Sequence, residues 1–373
     1  MPVNHLKLRL SRVVLIIVFS LLNYSSFAEI EQTRLDAVEK DLQGRVDEGK
    51  LSGAVIMIAQ DGEIQMTKAL GYQNVEDQVP MQDDTIFRIF SMTKPVTGTA
   101  LMILHDEGKF TLDDPIEKHL PELADLRVAI SASDDGTWET EPTNHPMTVR
   151  ELMSHTGGLL YTPPLSNGPI AEAYADAGVL GDSTLAESIP RLKDIPLDYQ
   201  PGTKWVYSIS VDVQGYLVER LSGQTLDNFF KERIFDPLGM EDTAFFVSQE
   251  KLSRFSRMYM PANGELLRTD SFGPGLGGSF TEKPKFLSGG GGLTSTASDY
   301  MKFAQMHLNK GTLNGNRVLS ENSIDLMRSN QLPAAVAEIG QPYPGNVFGL
   351  DFAVVENPGI FQGAPVGTHW WWG

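Results

Sequence analysis

Residues 54–72 read AVIMIAQ-DG-EIQMTKALGY, two strand-like runs around Asp61-Gly62. A type I′ turn needs positive φ at both central positions, and Asp-Gly accepts it, so the stretch predicts a β-hairpin. A lone hairpin is marginal in water, so this one must find partners elsewhere in the chain. The next strand-rich stretches of any length come at the far end: VFGLDFAVVEN at 347–357 and VGTHWWWG at 366–373. Pairing them with the hairpin gives one antiparallel sheet built from both ends of the chain. Leu35, Val38, Leu42 and Val46 recur at helical spacing and supply a helix before it. Residues from about 112 to 283 read as helix and loop, rich in Pro and Gly, with the clearest helix running from Ser208 towards Leu221. The fold class expected is α/β (α+β): an antiparallel sheet flanked by terminal helices, with a helical insertion.

Residues 1–28 read as a secretory signal peptide. Lys7, Arg9 and Arg12 form a basic start, VVLIIVFSLL at 13–22 is too short to span a bilayer, and Ser26 and Ala28 suit cleavage after Ala28. The expectation is a periplasmic or secreted protein, with 29–373 as one domain and no membrane span after cleavage. Thirty Lys and Arg stand against 48 Asp and Glu, a net charge of −18. Such a surface argues against nucleic acid or anionic lipid as a partner. With no cysteine, the chain has no disulfide, no thiol nucleophile and no Cys-type metal site. Its seven histidines form no HExxH, so neither a metal nor a cofactor is expected. The run Gly289–Gly292 reads as a hinge or tight turn, because the Lys-Ser/Thr of a phosphate loop does not follow it.

The chemistry concentrates at Ser91-Met92-Thr93-Lys94. A β-type run at 85–90 leads straight into a helix, with Pro95 in its first turns and Gly108 near its end. Residues i and i+3 share a helix face, so Lys94 lies where it can act as base for the Ser91 hydroxyl. Ser-x-x-Lys alone is weak: Ser248-Gln249-Glu250-Lys251 repeats it in a charged stretch that reads as solvated surface. Ser91 as an ordinary helix N-cap is the competing reading.

The wider pattern resembles the serine β-lactamase and penicillin-binding-protein superfamily, on the side of its carboxylesterases related to class C β-lactamases. The resemblance rests on FRIFSMTKPVTGTALM, LDDPIEKHLPEL, TVRELMSHTGGL, YSISVDVQGYLVERLSGQ, IFDPLGMEDTAF, GGGGLTSTASDYMKFAQM and FGLDFAV. It implies a β-lactamase/transpeptidase-like fold, with an α/β part at about 29–111 and 284–373 and an all-helical lobe at about 112–283. It implies Ser91 as nucleophile, Lys94 as its motif lysine and Tyr207, in KWVYSIS, as catalytic tyrosine. A lysine ammonium close to a phenol favours the phenolate, which can then take the serine proton. A tyrosine buried at a helix start is the plainer reading of Tyr207. By the same resemblance His155, in MSHTGGL, is structural.

Two departures from the family pattern matter. β-Lactamases of this type carry Tyr-x-Asn, and here the third position is Ile209, which tilts the expectation towards esters. The literal Tyr72-Gln73-Asn74 precedes Ser91 and closes the hairpin, so it reads as a decoy. The family's third motif, a pocket-lining strand that helps form the oxyanion hole, matches Trp372-Gly373 with its last residue missing. The resemblance therefore implies a chain lacking its last strands and helix, and a 373-residue form of weak activity and poor solubility. The function expected is an exported serine hydrolase working through an acyl-enzyme on a small ester. A β-lactamase or D-Ala-type peptidase on the same fold, and a non-catalytic penicillin-binding-like module or inactive fragment, are the alternatives.

Overall fold

The computed structural model describes residues 30–133, 137–262, 264–269, 278–359 and 364–373. The leader read at 1–28 lies outside them. Asp61 and Gly62 take φ of 53° and 84°, and strands Gly53–Gln60 and Glu63–Asn74 pair antiparallel from Gln60↔Glu63 to Gly53↔Gly71. The short strand Val79–Pro80 joins the far side of Glu63–Asn74.

Among the described residues the late strands do not pair with this hairpin. They form a second antiparallel sheet in the order Asn346–Phe348, Ala353–Val355, His369–Trp370. This corrects the expectation of one sheet built from both ends. The hairpin is stabilised instead by helix packing, which serves as well as extra strands. Helix Gln32–Asp47 covers it, with Leu35, Ile56, Met66 and Leu70 buried together and Leu42, Val46 and Ile58 around them. Helix Ala297–Leu308 also meets it, where Gln305 donates to the Gly62 carbonyl at 3.1 Å. The run 347–357 is not one strand but a hairpin. Asp351 adopts φ of 60° and the Gly349 N–H bonds the Phe352 carbonyl at 2.8 Å.

Helix Thr93–Asp106 is the core element. Every residue from Thr93 to Leu104 is buried, and it lies against helix Ser210–Ser222. The residues between 112 and 283 hold further helices, among them Val149–Met153, Pro169–Asp176 and Leu226–Phe230. They also hold two hairpins, Arg127–Ala132 with Trp138–Pro142 and Tyr259–Ala262 with Glu265–Arg268, so the lobe is not all-helical. Their strands are mostly exposed or half-buried, so the buried-face alternation that betrays a strand in sequence is missing. Helix Ala297–Leu308 is capped by Thr296, whose hydroxyl accepts from the Asp299 N–H at 3.1 Å. Ser295 is held in a strand pair with Phe87. No helix of the described residues is long and apolar enough to cross a membrane. The whole is a mixture of helices and antiparallel sheets.

Candidate active site

Strand Phe87–Arg88 pairs with Thr294–Ser295 and brings the chain to the Ser91 turn. The Ile89 N–H bonds the Leu293 carbonyl at 3.0 Å, and the Met92 N–H bonds the Ile89 carbonyl at 2.9 Å. Between them Phe90 is left-handed, φ 40°, a conformation that costs a non-glycine residue about 1–2 kcal/mol. A 3₁₀ turn, Phe90–Met92, then feeds helix Thr93–Asp106. Ser91 is therefore not a helix N-cap but sits in a constrained turn ahead of the helix.

Lys94, one turn on, is fully buried. Its Nζ donates to Ser91 Oγ at 3.2 Å, to Tyr161 Oη at 2.9 Å and to the Gly290 carbonyl at 2.6 Å. Tyr207 Oη lies 2.5 Å from Ser91 Oγ, and Lys94 Nζ lies 4.6 Å from the centre of the Tyr207 ring. The Tyr161 and Tyr207 rings stand 5.2 Å apart. Burial, reinforced by Tyr207 and Asp212, pushes the Tyr161 phenol well above its ordinary value. Tyr161 thus keeps its proton and accepts from Lys94.

Tyr207 is placed by its neighbours. The Val206 N–H bonds the His155 carbonyl at 3.0 Å, and the Ser208 N–H donates to His155 Nδ1 at 3.2 Å. The imidazole stands 5.2 Å from the Tyr207 ring. Burial, then Lys94, lowers its pKa well below the usual value, so His155 is neutral. Its Nε2 has no partner among the described residues, which leaves it without the carboxylate a triad requires. His155 supports the tyrosine segment.

A cavity of ≈ 40 Å³ opens beside Ser91, lined by Phe90, Tyr161, Leu165, Asp212, Ser288, Gly290 and Gly291. The glycine run forms a tight turn, with the Gly292 N–H on the Ser288 carbonyl at 2.9 Å, and is a wall of the site. Ile209 is buried beneath it all, its N–H on the Leu160 carbonyl at 3.1 Å, and offers no polar group to a ligand. Of the terminal residues, Gly373 packs against the Ile89 carbonyl and the Met92 N–H, next to the Ser91 turn. Trp372 is half exposed, and its ring neighbours are Tyr343 and Trp371. The tryptophan that meets the Tyr207 ring, at 5.6 Å, is Trp371.

The two decoys lie elsewhere. Asn74 donates to Asp77 at 2.7 Å inside the turn after the first hairpin. Ser248 bonds Glu250, and Lys251 pairs with Asp242. Tyr161, Asp212 and Gly290 were missed by sequence reasoning. The TGGL stretch just ahead of Tyr161 and the helix after Tyr207 were the nearest signals.

Comparison with known proteins gives one family. The Beta-lactamase family model matches residues 38–373. Protein Rv1367c of Mycobacterium tuberculosis is 39% identical over 348 residues, covering 90% of this chain and 84% of its own. Esterase EstB of Burkholderia gladioli is 32% identical over 357 residues, covering 91% and 84%. Among solved structures, EstCE1, a hydrolase with promiscuous acyltransferase activity, superposes with a TM-score of 0.75 at 26% identity, covering 92% of this chain and 88% of that one.

Proposed function

The chain belongs to the Beta-lactamase family and is a serine hydrolase, and we propose that it cleaves carboxylic esters through an acyl-enzyme on Ser91. The observation that carries this is the approach of Tyr207 Oη to 2.5 Å and Lys94 Nζ to 3.2 Å of the Ser91 hydroxyl. The Tyr207–Lys94 pair, deprotonated once between them, takes the serine proton as Oγ bonds the ester carbonyl carbon. The tetrahedral intermediate collapses, the ester C–O bond breaks, and the same pair returns the proton to the departing alcohol. Water then attacks the acyl-Ser91 carbonyl, with the pair now acting as base. The free acid leaves and Ser91 regains its proton.

Two observations favour an ester over a β-lactam. Ile209 stands where the related lactamases carry asparagine, and it is buried. Relatives of this chain include an esterase. We further propose that residues 1–28 direct export and are removed after Ala28, on the strength of the basic start, apolar run and small-residue site.

Intact protein treated with a fluorophosphonate should gain one adduct, and Ser91→Ala none. p-Nitrophenyl butyrate should turn over and nitrocefin should not. Uptake of label by Ser91→Ala would sink the nucleophile assignment, and nitrocefin turnover without ester turnover would replace ester by lactam. Mass spectrometry of exported protein should find Glu29 at the N-terminus.

A further inference from the structure

Asp212 is a buried carboxyl group five residues after Tyr207, on helix Ser210–Ser222. Both of its described hydrogen bonds run to the loop 288–290. Its Oδ1 accepts from Ser288 Oγ at 2.6 Å and from the Gly290 N–H at 3.1 Å. The next peptide unit, between residues 290 and 291, turns its carbonyl to Lys94, whose Nζ makes its shortest bond, 2.6 Å, to the Gly290 oxygen. The nucleophile helix tethers the same loop a second time, through Thr97 Oγ1 on the Gly289 carbonyl at 2.8 Å. The fit is tight. A Cβ on Gly290 would stand 2.6 Å from Asp212 Oδ2 and 3.1 Å from Tyr161 Oη, and one on Gly289 would stand 2.6 Å from the Val211 carbonyl.

Resting on the reading of Ser91 and Lys94 above, we infer that Asp212 is a positioning residue for Lys94. It fixes the Gly290 carbonyl, and that carbonyl fixes the ammonium on the Ser91–Tyr161 side of the site. Three acceptors then surround Nζ, which has three protons to give. Without the tether Gly290 is free to turn about its backbone, and Lys94 loses its shortest bond while keeping the two to Ser91 and Tyr161. A displacement of about 1 Å is enough to cost on the order of 10²-fold in rate. Burial in apolar surroundings raises the Asp212 pKa, against the pull of Ser288, Lys94 and the Gly290 N–H. One oxygen, Oδ1, accepts both bonds of the tether, so a side chain of the same shape that keeps this acceptor can replace it.

The test compares Asp212→Ala, Asp212→Asn and Ser288→Ala with wild type. The readouts are kcat and KM on p-nitrophenyl butyrate, and fluorophosphonate labelling rate per folded molecule. Asp212→Ala should lower kcat and labelling on the order of 10²-fold, with KM within about threefold. Asp212→Asn keeps the Oδ1 acceptor and should restore labelling to within about threefold of wild type, the cost of one weakened hydrogen bond. Folded Asp212→Ala with wild-type kcat overturns the inference, and so does a loss carried by KM alone. If Asp212→Ala fails to fold, Ser288→Ala decides: lower kcat at unchanged KM supports the tether, and unchanged kcat overturns it. Ser91→Ala separates the two readings. Activity surviving in that variant removes the proposed function itself, whereas a dead Ser91→Ala beside a wild-type Asp212→Ala removes only the tether.

Discussion

Tyr161 and Tyr207 hold the same kind of group in different roles. Tyr207 touches the serine oxygen, and Tyr161 touches Lys94 and Tyr207 but not Ser91. Tyr207→Phe removes a proton carrier, so kcat should fall roughly 10²- to 10⁴-fold. Tyr161→Phe removes one hydrogen bond from the Lys94 ammonium, at about 1.5–3 kcal/mol, so kcat should fall about 10- to 10²-fold. Stopped-flow acylation with p-nitrophenyl acetate measures both, and equal losses would contradict the division. Ser91 and Lys94 were legible as a pair because their relation is local, one helical turn. Tyr207 was legible only through family resemblance. Tyr161 and Gly290 reach Lys94 across 67 and 196 residues, a distance at which no spacing rule operates.

The elements around the site are packed to the point where single atoms matter. Helix Thr93–Asp106 carries Gly98 against the 347–357 hairpin, and a Cβ there would stand 2.5 Å from Asp351 Oδ2. Alanine is the better helix former by about 1 kcal/mol, but forcing a methyl into a filled core costs about 1–3 kcal/mol. Gly98→Ala should therefore lower stability by up to about 2 kcal/mol, measured by urea denaturation. A more stable variant would show that the hairpin gives way. At this scale the first hairpin and helix Ser210–Ser222 were readable, since turn chemistry and apolar periodicity are local signals. The bend inside 347–357 was not. It depends on Asp351 taking a left-handed conformation, and on Gly349 fitting beneath the Met327 carbonyl, contacts that exist only once the fold has formed.

Asp351 links the scale of the element to that of the molecule. It is fully buried where the late hairpin meets three helices, held by Gln214 at 3.1 Å and by its own N–H on the Met153 carbonyl at 3.1 Å. Burial pushes its carboxyl well above the ordinary 3.8, against the pull of Gln214 and Lys94. A raised acid stabilises the fold in its protonated form. That contribution is complete below about pH 4 and is lost as pH rises through the folded value. Asp351→Asn has no such proton, so its melting temperature relative to wild type should climb as pH rises above about 4. A difference that shrinks with pH would mean that the native state holds the charged form. The mixture of antiparallel sheet and helix was visible in the sequence. The separation of the two sheets was not, because strand patterns say which segments are extended but not which edges meet.

The hydrogen bonds that assemble the site also set when it can exist. Ser91 meets Tyr207 across 116 residues, and Lys94 meets Gly290 across 196. Contacts of that separation close late and slowly, after local helices and hairpins have formed. A partly made or partly opened chain therefore carries Ser91 as an ordinary alcohol. Reactivity towards a fluorophosphonate, followed in time after dilution from denaturant, should rise with the last phase of refolding, which makes the nucleophile a clock for completion of the fold.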